Sequence, residues 1–226
     1  MSLAVTVNSR VVALPGDTSL DNALTKAAWR VRLTAARQAV PVQTRMAEAL
    51  ALVRAVEEGV GGDGTLGGPA GTVCAYVPRE PEPGSLALLD ALRSRGLRVL
   101  VPVVVGTAPL DWGEYLGAES LRPGPFGLRE PTAPRLGPGA VRAVDAVLVP
   151  ALAVDRRGVR IGKGGGHYDR SLALVEPGMP LIAVVRDDEL VDELPVELHD
   201  VGMTAALTPY GGLVHLPLAQ RGVRPA

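Results

Sequence analysis

Residues 160–169 read Arg160-Ile161-Gly162-Lys163-Gly164-Gly165-Gly166-His167-Tyr168-Asp169. Four glycines within the five positions 162–166 free the backbone for left-handed conformations and let anionic oxygens approach several amide N–H groups together. The stretch comes after an apolar run at 145–150 and a polar turn, Asp155-Arg156-Arg157-Gly158, and it leads into a helical segment at 165–175. Strand, glycine loop and helix in that order predict a phosphate site at the carboxyl end of a parallel strand, with the helix N-terminus adding partial positive charge. Arg160 would bring a planar fork and Lys163 a mobile point charge. Spacing removes two better-known versions of such a loop. A Gly-x-Gly-x-x-Gly fingerprint starting at Gly162 needs a glycine where His167 stands, and a P-loop ending in Gly162-Lys163 needs one at Arg157 and a hydroxyl at Gly164. A plain flexible linker would not explain the interleaved Arg160, Lys163, Tyr168 and Asp169.

Outward from the loop, the chain alternates between short apolar runs and amphipathic stretches. Strands are predicted at 72–77, 98–105, 145–150, 181–186 and 203–208, and a helix at 85–95 that stops at Gly96. Four or five parallel strands of this kind give an open, mostly parallel α/β sheet with helices on both faces, Rossmann-like and three-layered. Residues 20–58 are rich in Ala, Leu, Arg and Glu and predict two helices interrupted at Pro41, before a glycine-rich loop at 59–69. A small hairpin is expected within 112–129, where Trp112, Tyr115 and Phe126 gather three of the seven aromatic residues. Residues 1–20 hold Pro15-Gly16-Asp17 without helical period and are read as an N-terminal extension to a single domain, 21–226.

A net charge of -1 and a pI near 6.3 leave no footprint for non-specific binding to nucleic acid or a membrane surface. A small acidic ligand met by a local basic site fits better. Only two of the 23 basic residues are lysines, Lys26 and Lys163. The one cysteine, Cys74, cannot form an internal disulfide and sits in the apolar run 72–77, where a buried thiol is the expectation. The N-terminus has no basic start with a long apolar segment behind it, and no run of about 18 apolar residues occurs, so a soluble cytoplasmic protein is expected. A monomer is a separate expectation that these features do not bear on.

Two runs, Leu148-Val149-Pro150-Ala151-Leu152-Ala153-Val154-Asp155 and Gly158-Val159-Arg160-Ile161-Gly162-Lys163-Gly164-Gly165-Gly166-His167-Tyr168-Asp169-Arg170, together resemble the signature of the 5-formyltetrahydrofolate cyclo-ligase family. Segments at 26–30, 73–85, 112–131 and 194–208 match in order, so the resemblance spans 26 to about 209. It implies conversion of 5-formyltetrahydrofolate, with or without a polyglutamate tail, to 5,10-methenyltetrahydrofolate, with MgATP phosphorylating the formyl oxygen. It implies that Lys26, Arg30, Arg160, Gly162, Lys163, Gly164, Gly165, Gly166, His167 and Tyr168 bind ATP, and that Asp169 and Asp200 bind Mg2+. Lys163, Arg160 and Tyr168 would serve the transfer. Val77, Glu82, Trp112 and Tyr168 would hold the folate, with Glu80 a competitor for Glu82 and Tyr115 and Phe126 extending an aromatic wall. Read alone, Lys26 and Arg30 are an ordinary solvated helix face, Asp169 a first-turn helix charge, and the aromatic residues core packing.

The chain departs from the family pattern at His167, where a tyrosine is usual, at Glu189, where a glutamine is usual, and at Thr204, where an aspartate is usual. His199, beside Asp200, is read as structural. Two other readings stay open at this point: a folate- or nucleotide-binding protein without turnover on the same scaffold, and a sugar-phosphate isomerase or transferase of similar fold.

Overall fold

The computed structural model describes residues 24–58, 65–68, 70–197 and 200–217. The expected extension at 1–20 and His199 lie outside them. The Thr25 hydroxyl accepts from the Ala28 N–H at 3.3 Å and starts helix α1 (Lys26–Ala39). Pro41 separates it from α2 (Val42–Glu58), as a residue with fixed φ and no N–H should. Then follow β1 (Thr72–Cys74), α3 (Leu86–Ser94), β2 (Arg98–Val103), β3 (Asp111–Glu114), β4 (Leu121–Pro123) and β5 (Arg129–Pro131). The second half holds β6 (Ala146–Pro150), β7 (Ala153–Asp155), β8 (Arg160–Ile161), α4 (His167–Leu172), β9 (Leu181–Val184), β10 (Leu190–Val191), β11 (Ala205–Thr208) and β12 (Gly212–His215).

Seven strands form the main sheet in the order β12-β11-β9-β6-β1-β2-β3. The five inner strands run parallel, while β12 and β3 close the two edges antiparallel. Alternation along β6 explains the two cores. Ala146 and Leu148 face a cluster with Leu52 and Val56 of α2 and Leu88, Leu89 and Leu92 of α3. Val147 and Val149 face the other cluster, with Leu172 of α4, Trp112 and Val141. Burial of both faces is why these strands read as unbroken apolar runs. Cys74 is fully buried there, and burial pushes its thiol up. No helix of the described residues is long and apolar enough to cross a membrane.

Two expectations change in detail. The helix at 165–175 is only α4, because Gly166 enters it with φ 69 and Pro177 follows closely. The stretch 112–129 is not one hairpin: β3 pairs back onto β2, and the hairpin is β4 with β5, carrying Phe126 at its turn. A second small sheet, β10-β7-β8, stands between β6 and the glycine loop. The loop therefore leaves from β8, one hairpin later than the sequence suggests. α1 packs over that small sheet through Trp29 and Leu33 against Ala153, Val159 and Ile161.

Candidate active site

The turn between β7 and β8 is fixed by Asp155, a fully buried carboxylate. It accepts from the backbone N–H groups of Arg157 (2.9 Å), Val159 (2.9 Å) and Leu194 (3.0 Å). β8 then delivers Arg160 into the interior, where its Nη1 donates to the Val201 carbonyl at 2.8 Å and its Nη2 to Asp169. Burial lowers the pKa of this guanidinium, and the nearby carboxylates of Asp169 and Asp200 pull it the other way. The loop 162–166 follows and crosses α1, where Arg30 Nε donates to the Gly162 carbonyl at 3.0 Å. Gly166 must turn left-handed to start α4, with Arg170 lying over it and donating to the Gly165 carbonyl at 3.0 Å.

A cleft of about 1050 Å³, counted out to bulk solvent, opens at the carboxyl ends of β1, β2 and β6. One wall is the loop itself, Gly162, Lys163, Gly164, Gly165 and Gly166 with His167, Tyr168 and Asp169, and Arg160 stands behind it. The opposite wall carries Val77, Glu82, Pro102, Val104, Leu110 and Leu128. Lys163 Nζ reaches Glu82 Oε1 at 2.6 Å and so joins the two walls. The other oxygen of Glu82 accepts from the Arg79 N–H at 2.9 Å. Glu80, by contrast, is 83% exposed and turned to Arg45. A second cavity adjoins the first and shares Arg37, Glu82, Leu152 and Lys163 with it. Arg30 lines this one.

The Tyr168 hydroxyl is buried at the cleft wall and makes no hydrogen bond among the described residues. Burial raises its pKa well above 10.0, with the charge of Glu82 acting in the same direction, so the phenol keeps its proton. His167 is anchored differently: its Nε2 lies 3.0 Å from the Gly106 carbonyl. Lys26 and Asp200 line neither cavity. They bind one another, with Nζ 2.6 Å from both carboxylate oxygens, and Glu197 stands 3.3 Å from the same amine.

The expected aromatic wall is corrected by the structure. Trp112 is fully buried in the core under the sheet, Tyr115 is buried on the opposite face with its hydroxyl on Asp90, and Phe126 is 76% exposed. Burial raises Tyr115 to about 12. The wall is aliphatic instead, because antiparallel β3 turns Trp112 into the core. Arg37 is the residue that sequence reasoning missed. It lines both cavities and lies on the same stripe of α1 as Lys26 and Arg30, a spacing the helical period would have given.

Of the two carboxylates expected to hold Mg2+, Asp169 lines the cleft beside the loop, where it suits an ion that keeps most of its water, whereas Asp200 lies outside the cleft with both oxygens on Lys26. No cluster of three or more His, Cys, Asp or Glu able to hold a metal occurs among the described residues.

An open α/β sheet whose strand ends support a glycine loop, a buried arginine and a two-walled cleft defines a protein of the doubly wound class, in which ligands bind at the carboxyl ends of the strands. Comparison with known proteins narrows the class. The 5-formyltetrahydrofolate cyclo-ligase family matches residues 22–209. A 5-formyltetrahydrofolate cyclo-ligase of Mycolicibacterium smegmatis is 48% identical over 201 residues, covering 84% of this chain and 97% of its own. One from Escherichia coli is 29% identical over 147 residues, 62% and 79% of the two chains. The chain belongs to the 5-formyltetrahydrofolate cyclo-ligase family. In fold it is similar to the 5,10-methenyltetrahydrofolate synthetase of Aquifex aeolicus, with a TM-score of 0.68 at 21% identity over 90% of this chain and 97% of that one. The synthetase of Mycoplasma pneumoniae gives a TM-score of 0.63 at 17% identity, covering 81% and 98%.

Proposed function

We propose that the protein is a 5-formyltetrahydrofolate cyclo-ligase, closing 5-formyltetrahydrofolate to 5,10-methenyltetrahydrofolate with release of ADP and phosphate. The observation that carries this reading is the 2.6 Å contact of Lys163 with Glu82. It sets the lysine of a phosphate-type loop against a carboxylate suited to the amino and N–H donors of a pterin, within one cleft. Two ligands that must react would meet there.

ATP, bound along the loop, supplies the phosphoryl group that turns the formyl oxygen into a leaving group. The chain's own part is positioning and charge neutralisation, which dominate phosphoryl transfer. Arg30 and the loop amides hold the phosphates, Lys163 moves from Glu82 to the developing charge, and Arg160 fixes Asp169. Asp169 is the residue placed to hold Mg2+, and Asp200 would join it only on release from Lys26. Tyr168, protonated and unpartnered, donates to a reacting oxygen. Val77, Val104 and Leu128 exclude water while N10 closes the ring. Glu82, freed of Lys163, accepts from the pterin.

The test is incubation of the protein with 5-formyltetrahydrofolate and MgATP, following the methenyl product by absorbance and ADP by a coupled assay. Equimolar appearance of both is expected. Tight folate binding without ATP-dependent product would overturn the enzyme and leave a binding protein. In the same assay Lys163→Ala is expected to lower kcat/KM about 100- to 1000-fold, the size of losing a preorganised charge. Its folding stability should change by less than about 1 kcal/mol, since the Lys163 to Glu82 pair is half-exposed on the lysine side.

A further inference from the structure

Arg37 is nearly wholly buried, yet one edge of it is unused. Its Nε donates to Glu189 Oε1 at 2.5 Å, and its Nη2 donates to Glu189 Oε2 at 2.6 Å and to the Ala151 carbonyl at 2.5 Å. Nη1 makes no hydrogen bond among the described residues, although Arg37 lines both cavities. Glu189 is itself buried and held by the Arg186 N–H at 2.8 Å, so the guanidinium cannot swing away. Its charge is matched by Glu189, which makes Nη1 a fixed hydrogen-bond donor more than an anion site. A neutral carbonyl suits such a donor better than a phosphate.

Glu82 shares both cavities with Arg37, and the charges of both act on the buried Tyr76 hydroxyl. The pterin edge presents an amino group, an N–H and then a carbonyl oxygen in a row: two donors followed by one acceptor. Glu82 matches the donors and cannot match the acceptor. We propose that Arg37 is a specificity-determining residue whose Nη1 donates to the 4-oxo group of the pterin, completing the recognition that Glu82 begins. The inference rests on the folate reading given above. It adds that the site discriminates between 4-oxo and 4-amino pteridines, because a 4-amino group would set donor against donor.

The experiment measures binding of 5-formyltetrahydrofolate and of its 4-amino-4-deoxy counterpart by calorimetry, without ATP, so that turnover does not enter. Wild type is expected to prefer the 4-oxo ligand. Arg37→Gln combined with Glu189→Gln removes both charges together and avoids stranding a buried carboxylate. In that variant the preference is expected to fall about tenfold or more, mostly through weaker 4-oxo binding. Glu189→Gln alone keeps the donor, and its preference should stay within about twofold of wild type. An unchanged ratio in the double variant would overturn the proposal, as would an equal loss for both ligands or the same fall in Glu189→Gln. A wild-type chain that binds neither ligand would sink the folate reading, and this inference with it; folate binding with an unmoved ratio sinks the inference alone.

Discussion

Tyr168 holds a hydroxyl in a buried place with no partner among the described residues, an arrangement that costs about 1–3 kcal/mol when it is left so. Such a cost is tolerated where the group is needed for something else. Tyr168→Phe is therefore expected to unfold at the same temperature as wild type or up to a few degrees higher by calorimetry, while kcat/KM falls about tenfold or more. A variant less stable than wild type and fully active would remove Tyr168 from the chemistry. At this scale the sequence was legible where a side chain stands in the glycine signature: Arg160, Lys163, Tyr168 and Asp169 all reach one cleft. Trp112 was misread because aromaticity says nothing of which way an edge strand turns its side chains. The three departures from the family pattern become intelligible only with partners in view. Glu189 holds Arg37, His167 reaches the Gly106 carbonyl, and the Thr204 hydroxyl accepts from the Leu181 N–H at 2.9 Å. A glutamine at 189 would keep the capping contact but not neutralise Arg37.

The elements that aim the site are held by polar contacts from outside the main sheet. α1 is fastened at both ends, by Lys26 to Asp200 and by Arg37 to Glu189, and Glu48 of α2 meets Arg186 at 2.8 Å. Between them Asp155 sets the β7 to β8 turn, and Gly158 in that turn takes φ 87 with the Met203 backbone pressed against it. A side chain at 158 would meet both the strained backbone and that contact. Asp155→Ala would leave three backbone N–H groups without their acceptor, two of them in buried residues. A loss of about 3 kcal/mol or more in chemical denaturation is expected, from about 1–3 kcal/mol for each stranded buried donor. Activity should fall with it, since β8 carries Arg160 and launches the loop. The five parallel strands and the break at Pro41 could be read from apolar runs and proline chemistry. The small β10-β7-β8 sheet could not, because strands of two or three residues carry no period long enough to recognise, and β10 comes from far along the chain.

Across the whole molecule the two faces of one sheet are buried, and buried groups that titrate make stability depend on pH. Tyr76 and Tyr168 both lie in this interior, and desolvation raises both phenols above their ordinary value of 10.0. The Tyr76 hydroxyl donates a hydrogen bond to the Pro83 carbonyl at 2.6 Å, which ties the Glu82 turn to the core. A phenol whose folded pKa is raised contributes stability that is fully present below the unfolded value and is lost as pH rises through the folded one. The phenols' share of the loss should thus begin near pH 10, where the unfolded chain starts to release phenolic protons that the folded chain retains. Each phenol contributes a slope of about 1.4 kcal/mol per pH unit in that window. Denaturant titrations at pH 8, 9, 10 and 11 are expected to show a first loss setting in near pH 9, where the buried Cys74 thiol begins to count, and a steepening above 10 as the raised phenols, Tyr115 among them, join it. Tyrosinate absorbance near 295 nm should rise together with unfolding and not ahead of it for these two residues. Tyr168→Phe should remove one phenol's share of the slope without shifting where it begins, while a curve identical to wild type would mean that Tyr168 titrates as freely folded as unfolded.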